Sequence, residues 1–319
     1  MNKWEKQSGV SPSEDLLRLL KELPDMDAES YLDAVSKPLP ECFRVNTLKL
    51  PESRIIDLLK SRGWSFERIS WARFGYRLID GPEAGIGSSM EHMLGLIYIQ
   101  GPISMIPAEV LEPMPGLTVL DLCASPGSKS TQLAQLMENR GILVANDVSS
   151  SRIKPLVANL QRCGVINVIV TQTDGRLFYR WTKEQFDRVL VDAPCSSLGI
   201  VAKDWSAASH YSEKISNKIG RLQQSLIMSA YDCLRPGGIL VYSTCTLHPV
   251  ENEGVVTYLL DKKTDAKLQP IYLNGVKSRK PLEEWAGIKF SPEIKKCFKC
   301  YPHDNSAEGF FIAKIKKGS

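Results

Sequence analysis

Between Thr118 and Cys245 the chain alternates short apolar runs with amphipathic stretches, and this rhythm narrows its possible folds more than any other feature. The apolar runs are TVLDLC, ILVAN, NVIV, RVLVDAPC and GILVYSTC. Between them lie a stretch from SPGSKS to about Met137 and another through Arg152 to Cys163, stopped at Gly164. In a third, Ile219, Leu222, Leu226, Ile227, Ala230 and Leu234 share one helical face, closed by Pro236-Gly237-Gly238. Near-continuous apolar strands alternating with helices predict an α/β fold, its parallel sheet covered on both faces. Ligands of such sheets collect beyond the carboxyl ends of the strands. Cys123, Asp147, Asp174, Asp192, Cys195 and Cys245 all fall at or just past such ends.

The preceding third of the chain has a different texture. Residues 13–23 (SEDLLRLLKEL) have helical spacing behind a Ser13 cap. Residues 42–48 (CFRVNTL) read as a strand and 55–64 (IIDLLKSRGW) as a helix stopped at Gly63, with Gly/Pro-rich punctuation between Gly81 and Gly87. A small α+β unit over residues 1–95 in front of a larger domain over 96–319 is the expected division. No apolar run reaches membrane-span length, and MNKWEKQSGV lacks the apolar core of a signal peptide, so a cytoplasmic protein is expected. Its eight cysteines then read as reduced thiols and not as a disulfide framework. The formal charge of +4 says little about partners. From Lys262 onward, however, 13 Lys and Arg stand against 6 Asp and Glu, which suits either a polyanion or a solvated lysine-rich face.

Residues 121–130 (DLCASPGSKS) form a strand–loop–helix junction without the GxGxxG of dinucleotide binders or the GxxxxGK[ST] of triphosphate loops. Its small residues let backbone approach a ligand. Asp147 follows the next strand, 26 residues after Asp121, where a carboxylate accepts hydrogen bonds from both ribose hydroxyls of an adenosine. Asp174, past the third strand, suits the adenine amino group. Either acid alone is ordinarily a cap or turn former. Together, after successive strands, they favour S-adenosylmethionine, whose cationic sulfonium needs no phosphate cradle.

The cysteines bear on the methyl acceptor. Carbon 5 of a pyrimidine becomes nucleophilic once a thiolate has added at carbon 6. Lys129 is a candidate for the positive charge that favours the thiolate, and Asp192 for holding a proton on ring N3. Cys42, Cys163 and Cys233 instead read as small buried hydrophobes.

With DLCASPGSKS, Asp147, Asp174, DAPCSSLG and STCTLHPVENE in view, the chain resembles the RNA cytosine-5 methyltransferase family, the RsmB/NSUN group of bacterial rRNA and eukaryotic and archaeal tRNA enzymes. YIQGPISMIPAEVL (98–111) and YPHDNSAEGFFIAKIKK (301–317) extend the resemblance, which runs from about Val45 to the C-terminus. It implies a Rossmann-like S-adenosylmethionine-dependent methyltransferase domain. It implies that Cys245 is the nucleophile at carbon 6 and that Cys195 assists breakdown of the adduct. DNA cytosine methyltransferases attack from the PC cysteine instead, an assignment that the TC motif argues against. Around the cofactor it implies Cys123, Ala124, Ser125, Pro126, Gly127, Ser128 and Lys129, with Asp147, Arg152, Asp174 and Asp192. The implied partner is RNA. The archaeal-type look of GIGSSMEHMLGLIYIQ (85–100) and the short chain favour tRNA over rRNA, with no DNA, no membrane and a monomer expected. The family loop often reads CAAPGGKT, so Ser125, Ser128 and Ser130 are departures that should keep the turn. Glycine often stands at the place of Ser197, where serine would be strained if φ is positive.

Competing readings have their own discriminators. Cys297, Cys300 and His303 have metal-ligand spacing but no evident fourth ligand, so no metal is expected. Lys277, Arg279, Lys280, Lys295, Lys296 and Lys299 are candidates for phosphate contacts, and Trp205 for stacking on a base or anchoring a loop. A catalytically silent RNA-binding factor would be expected to lose a thiol or a cofactor acid. An adenine amino-methyltransferase would carry [DNS]PP[YF] where DAPC stands.

Overall fold

The computed structural model describes residues 11–319; the segment read for a signal peptide, residues 1–10, lies outside the described residues. Two helices come first. α1 (Glu14–Glu22) is capped by Ser13, whose Oγ accepts from Leu16 N at 3.1 Å, and α2 (Ala28–Val35) is capped by Asp27. Leu16, Leu19, Leu20 and Tyr31 bury their side chains in the core of the C-terminal sheet, and the Tyr31 hydroxyl donates to Leu198 O at 2.8 Å.

A small antiparallel sheet follows, in the order β2-β3-β1-β4, built from β1 (Cys42–Val45), β2 (Ser65–Arg68), β3 (Gly75–Asp80) and β4 (Ile97–Ile99), with helix α3 (Glu52–Ser61) between β1 and β2. The strand expected over 42–48 stops at Val45; Asn46 N still donates to Leu96 O at 2.8 Å, but Asn46 turns its side chain to other partners. Its side-chain amide donates to Gly95 O and Cys163 O, both at 2.8 Å. Helix α3 ends ahead of Gly63, whose φ of +86° suits only a residue without Cβ. Because β4 pairs with β1 through Phe43↔Ile99, a boundary at residue 95 cuts this sheet, and the first two helices pack on the other unit.

The large sheet carries the predicted rhythm: α4 (Ile106–Leu111), β5 (Thr118–Asp121), α5 (Ser128–Leu136), β6 (Ile142–Asn146), α6 (Ser150–Arg162), β7 (Val168–Thr171), β8 (Phe186–Asp192), α7 (Glu213–Cys233) and β9 (Leu234–Thr244). Strands β5 to β9 are parallel, as the apolar runs required, in the order β9-β8-β5-β6-β7. The chain moves one way from β5 to β7 and then returns to β8, so the topological switch lies between β5 and β8.

Beyond β9 the sheet turns antiparallel. Helix α8 (Glu253–Lys262) leads to β10 (Ala266–Gln269), a two-residue-stranded hairpin of β11 (Glu284–Trp285) and β12 (Ile288–Lys289), then β13 (Phe298–Cys300) and β14 (Phe310–Lys317). β14 lies antiparallel against β9, and both β10 and β13 pair with its far edge. Burying Phe311, Ile312, Ala313 and Ile315 on both faces of β14 closes the core. Among the described residues, no helix is long and apolar enough to cross a membrane.

Candidate active site

A cleft opens beyond the ends of β5, β6 and β7, lined by Cys123, Asp147, Arg152, Asp174, Leu222 and Leu226 among others. The loop from Cys123 to Gly127 forms one wall, held from both sides. Ala124 N donates to Asn146 O at 2.8 Å, and Gly127, at φ +105°, starts helix α5. Ser125 Oγ donates to Arg152 O at 2.7 Å, and Arg152 Nη2 returns a bond to Ser125 O at 3.1 Å. Asn159 binds Pro126 O at 2.9 Å. The three serine departures keep the turn, and Ser130 Oγ gains a use by donating to Asp121 Oδ2 at 2.7 Å.

Asp147 is buried at the end of β6; its Oδ1 accepts from Ser149 N at 3.0 Å and its Oδ2 lies 3.5 Å from Arg152. Asp174 borders the same cleft, but its carboxylate is engaged by the Arg176 guanidinium at 2.5 to 3.0 Å. That contact holds the Asp174 carboxyl below its ordinary range. The adenine amino group expected at Asp174 therefore has to compete with Arg176. The donor set tests the cofactor: two carboxylates, apolar Val148, Pro194, Leu222 and Leu226, and a single arginine turned toward the loop and Asp147. This fits an adenosine carrying a cationic sulfonium and does not fit a phosphate chain.

The thiols sit on the other side of the switch point. Asp192 ending β8 is in register with Ser243 on β9, so the loops leaving the two strands start side by side. They bring Cys195 Sγ within 3.2 Å of Cys245 Sγ. Gly199 N donates to Cys245 O at 2.7 Å and Gly309 N to Gly199 O at 2.8 Å. A Cβ on Gly199 would stand 2.1 Å from Gly309 O, so only glycine lets these loops meet.

Lys129 reaches in from the first turn of α5. Its ammonium lies 2.6 Å from Asp192 Oδ2, 3.1 Å from Ser104 Oγ and 5.5 Å from the centre of the Phe310 ring. Ser243 Oγ donates to the other Asp192 oxygen at 2.7 Å. Burial disfavours the Lys129 charge, but Asp192 outweighs it and holds the ammonium above its ordinary value. The hydrogen bond from Cys195 lowers the Cys245 thiol against the effect of burial, with help from Ser197 and Lys129. Cys195, half-buried and facing Cys245, is raised by the hydrogen bond they share and by desolvation. The two sulfurs share one hydrogen bond, and the direction of the shifts makes Cys245 the more acidic of the pair.

Ser197 has the left-handed backbone at which serine is strained, φ +60° and ψ +20°, with its Oγ 3.9 Å from Cys245 Sγ. Glycine there is expected to relieve about 1 kcal/mol of strain and raise the melting temperature by roughly 2 °C, read by thermal unfolding. An unchanged or lower melting temperature would show that the hydroxyl contacts outweigh the strain.

Sequence reasoning missed Glu251 and Asn252. Asn252 brackets Cys245, accepting from Thr244 Oγ1 at 2.5 Å and donating to Thr246 O at 3.1 Å. Glu251 is fully buried and takes Ser196 N at 2.9 Å, Ser216 Oγ at 2.7 Å and Gln223 Nε2 at 3.2 Å. The available signal was ENE directly behind a buried strand, since buried polar groups require partners.

Other candidates are engaged elsewhere. Lys299 is buried between Asp25 at 3.3 Å and Glu253 at 3.7 Å, Arg279 forks onto Asp304, and Lys296 pairs with Glu293. For these the phosphate role expected from composition gives way to internal ion pairs. Cys297 and Cys300 are buried, Cys300 Sγ meets Glu308 O at 3.7 Å, and His303 Nε2 faces Arg279 at 2.9 Å. Trp205 packs on the core. Cys42, Cys163 and Cys233 are buried, and burial pushes each thiol up.

The doubly covered parallel sheet and the cleft at its switch point define the S-adenosylmethionine-dependent methyltransferase class. Residues 108–316 match the model of 16S rRNA methyltransferase RsmB/F, and residues 13–102 match the N-terminal domain of 16S rRNA methyltransferase RsmF. The chain belongs to the RsmB/F family of RNA methyltransferases. It is 45% identical over 291 residues to the tRNA (cytosine(49)-C(5))-methyltransferase of Pyrococcus abyssi, covering 91% of this chain and 92% of that protein. It is 38% identical to the ribosomal RNA small subunit methyltransferase F of Pectobacterium atrosepticum, covering 92% of this chain but 59% of that longer protein. The crystal structure of a methyltransferase homolog protein from Pyrococcus horikoshii matches with a TM-score of 0.82 at 39% identity, covering 95% of this chain and 98% of that one. NSun6 from Pyrococcus horikoshii with SFG matches with a TM-score of 0.82 at 26% identity, covering 97% and 98%.

Proposed function

We propose that this chain methylates carbon 5 of a cytosine in tRNA, through a transient thioether between Cys245 and carbon 6. The observation that carries the reading is the dithiol with a 3.2 Å separation, set beside the Lys129–Asp192 pair. When bound in the cleft, S-adenosylmethionine supplies an electrophilic methyl group. Asp147, Asp174 and the Cys123–Ser128 loop would hold it, with Arg152 bracing the loop. Cys245 adds to carbon 6 as the thiolate. As the thiolate adds, ring N3 takes up a proton from solvent, which Asp192 holds by hydrogen bond until it is released again when Cys245 leaves, and the adjacent Lys129 ammonium offsets negative charge as the ring accepts electrons. Once Cys245 is bonded to carbon 6, Cys195 gives up its own proton to solvent; after methylation the Cys195 thiolate takes the carbon-5 proton, the carbon 5–carbon 6 double bond re-forms, and Cys245 leaves as thiolate. The target base flips out of its stack to reach the thiol, at a cost of a few kcal/mol that is smallest in a loop or single strand.

The nearly full-length correspondence with a tRNA enzyme supports tRNA, against three-fifths of the rRNA enzyme. The rRNA reading is the second, favoured by the description of the family that matches residues 108–316. The small sheet and its helix α3 help hold the RNA, and the protein acts as a cytoplasmic monomer. Bisulfite sequencing of total RNA incubated with enzyme and methyl donor tests this directly. Newly protected cytosines in tRNA are expected; protection confined to rRNA selects the second reading, and none at all overturns both.

Cofactor binding has its own test. Asp147→Ala is expected to weaken S-adenosylmethionine binding by about 10- to 100-fold, the loss of charged hydrogen bonds to a ribose. Isothermal calorimetry with the methyl donor alone reads this, and unchanged affinity would remove Asp147 from the cofactor site.

A further inference from the structure

Glu251 has a carboxylate with no solvent exposure, and none of the proposed chemical steps uses it. Burying a carboxylate is costly unless its oxygens are satisfied. Here Oε1 accepts from Ser216 Oγ at 2.7 Å, and Oε2 from Ser196 N at 2.9 Å and Gln223 Nε2 at 3.2 Å. Ser196 is the neighbour of Cys195 in the chain. Gln223 also donates to Pro194 O at 2.9 Å, so the residue on the other side of Cys195 is tied to the same cluster. Glu251 itself stands at the end of the turn that leaves Cys245. That turn is fixed independently, by Tyr242 OH donating to Glu251 O at 2.6 Å and by Asn252 bracketing the cysteine. A second clasp between the loops, Ser196 Oγ with Thr246 Oγ1 at 2.6 Å, lies beside the first.

We infer that Glu251 is a positioning residue: its carboxylate fastens the Cys195 loop to the Cys245 turn and thereby sets the distance between the two thiols. It acts through Cys195 and touches no reacting atom. The inference rests on the proposed roles of the dithiol and adds to them a cause for its geometry. Losing the carboxylate loosens Pro194–Ser196, which keeps the Ser196–Thr246 clasp and the Gln223–Pro194 bond, while the Cys245 turn keeps its own bonds, so adduct formation should survive better than adduct release.

The test uses the full chain with a substrate RNA and methyl donor, comparing Glu251→Ala, Glu251→Gln and Cys195→Ala. Glu251→Ala is expected to accumulate a denaturant-stable protein–RNA adduct about 10-fold above wild type, in the manner of Cys195→Ala. The pH profile of Cys245 alkylation by iodoacetamide should move upward in both, because the hydrogen bond from Cys195 is weakened or gone. Glu251→Gln, which keeps an acceptor oxygen for Ser196 N, should fall between Glu251→Ala and wild type. If Glu251→Ala fails to fold, the Ser216→Ala and Gln223→Leu double variant, which leaves the carboxylate in place but removes its helix donors, is expected to show the same two shifts in weaker form. Trapping by Cys195→Ala with neither adduct nor pH shift in the Glu251 variants overturns this proposal and leaves the dithiol reading standing. Normal release by Cys195→Ala overturns both.

Discussion

Cys245→Ala is expected to lower methyl transfer by about 10³-fold or more while leaving fold and cofactor binding intact, because the proposed nucleophile that would activate the ring is gone. The other thiol close enough to matter is Cys195, at 3.2 Å, and it is the wrong one electrostatically. The hydrogen bond shared with Cys245 and desolvation both push the Cys195 thiol well above the ordinary range. Cys245 instead has Lys129 and the Ser197 hydroxyl on its side of the balance. Removing Cys245 also removes a cause of the raised Cys195 pKa, and this sharpens the test. If Cys195 can substitute, the variant gives it every chance to do so. Incorporation of labelled methyl into RNA measures the outcome, and turnover near wild type would transfer the nucleophile's role to Cys195.

The second large effect is expected from Cys195→Ala, which should convert much of the enzyme into a covalent protein–RNA adduct that survives denaturant. Once the Cys245 sulfur is bonded to carbon 6 it no longer holds a negative charge or accepts the Cys195 proton. Both causes that raise Cys195 through Cys245 disappear at that moment, so the thiol can lose its proton to solvent, and the resulting thiolate takes the carbon-5 proton. The same chemistry that consumes one thiolate thus prepares the other. Alanine lacks that base, so elimination stalls with the thioether in place. Denaturing gels of enzyme incubated with labelled RNA and methyl donor report the adduct, and the Cys195→Ala/Cys245→Ala double variant should show none. Rapid release by Cys195→Ala would assign the proton to another base.

Much of this architecture was legible before any coordinates. Five apolar runs separated by helical faces required parallel strands, because a strand buried on both faces has no polar side to show. The loop from Cys123 to Gly127, Asp147 at the end of β6, and the two cysteines beyond β8 and β9 followed from that order alone. The antiparallel extension was less legible. The segment that forms β14 entered only through the resemblance of YPHDNSAEGFFIAKIKK, and nothing local states that it will run against β9 with β10 and β13 sharing its outer edge. The first two helices likewise gave no sign in their own period that their apolar faces would leave the small sheet and join the larger core.

The sequence by itself determined which groups reach the carboxyl edge of the sheet, since strand period and turn residues act over a few neighbours. Tertiary structure decided which of those groups meet. It drew Asp174 onto Arg176, buried Lys299 between two acids, and gave Glu251 three donors from distant parts of the chain. It also made two chemically identical thiols unequal, by bringing Lys129 and Ser197 to bear on Cys245 and so lowering it while Cys195 is raised. Hydrogen bonds and charges act over a few ångströms of space, and separations of that kind between remote residues exist only after the sheet has closed.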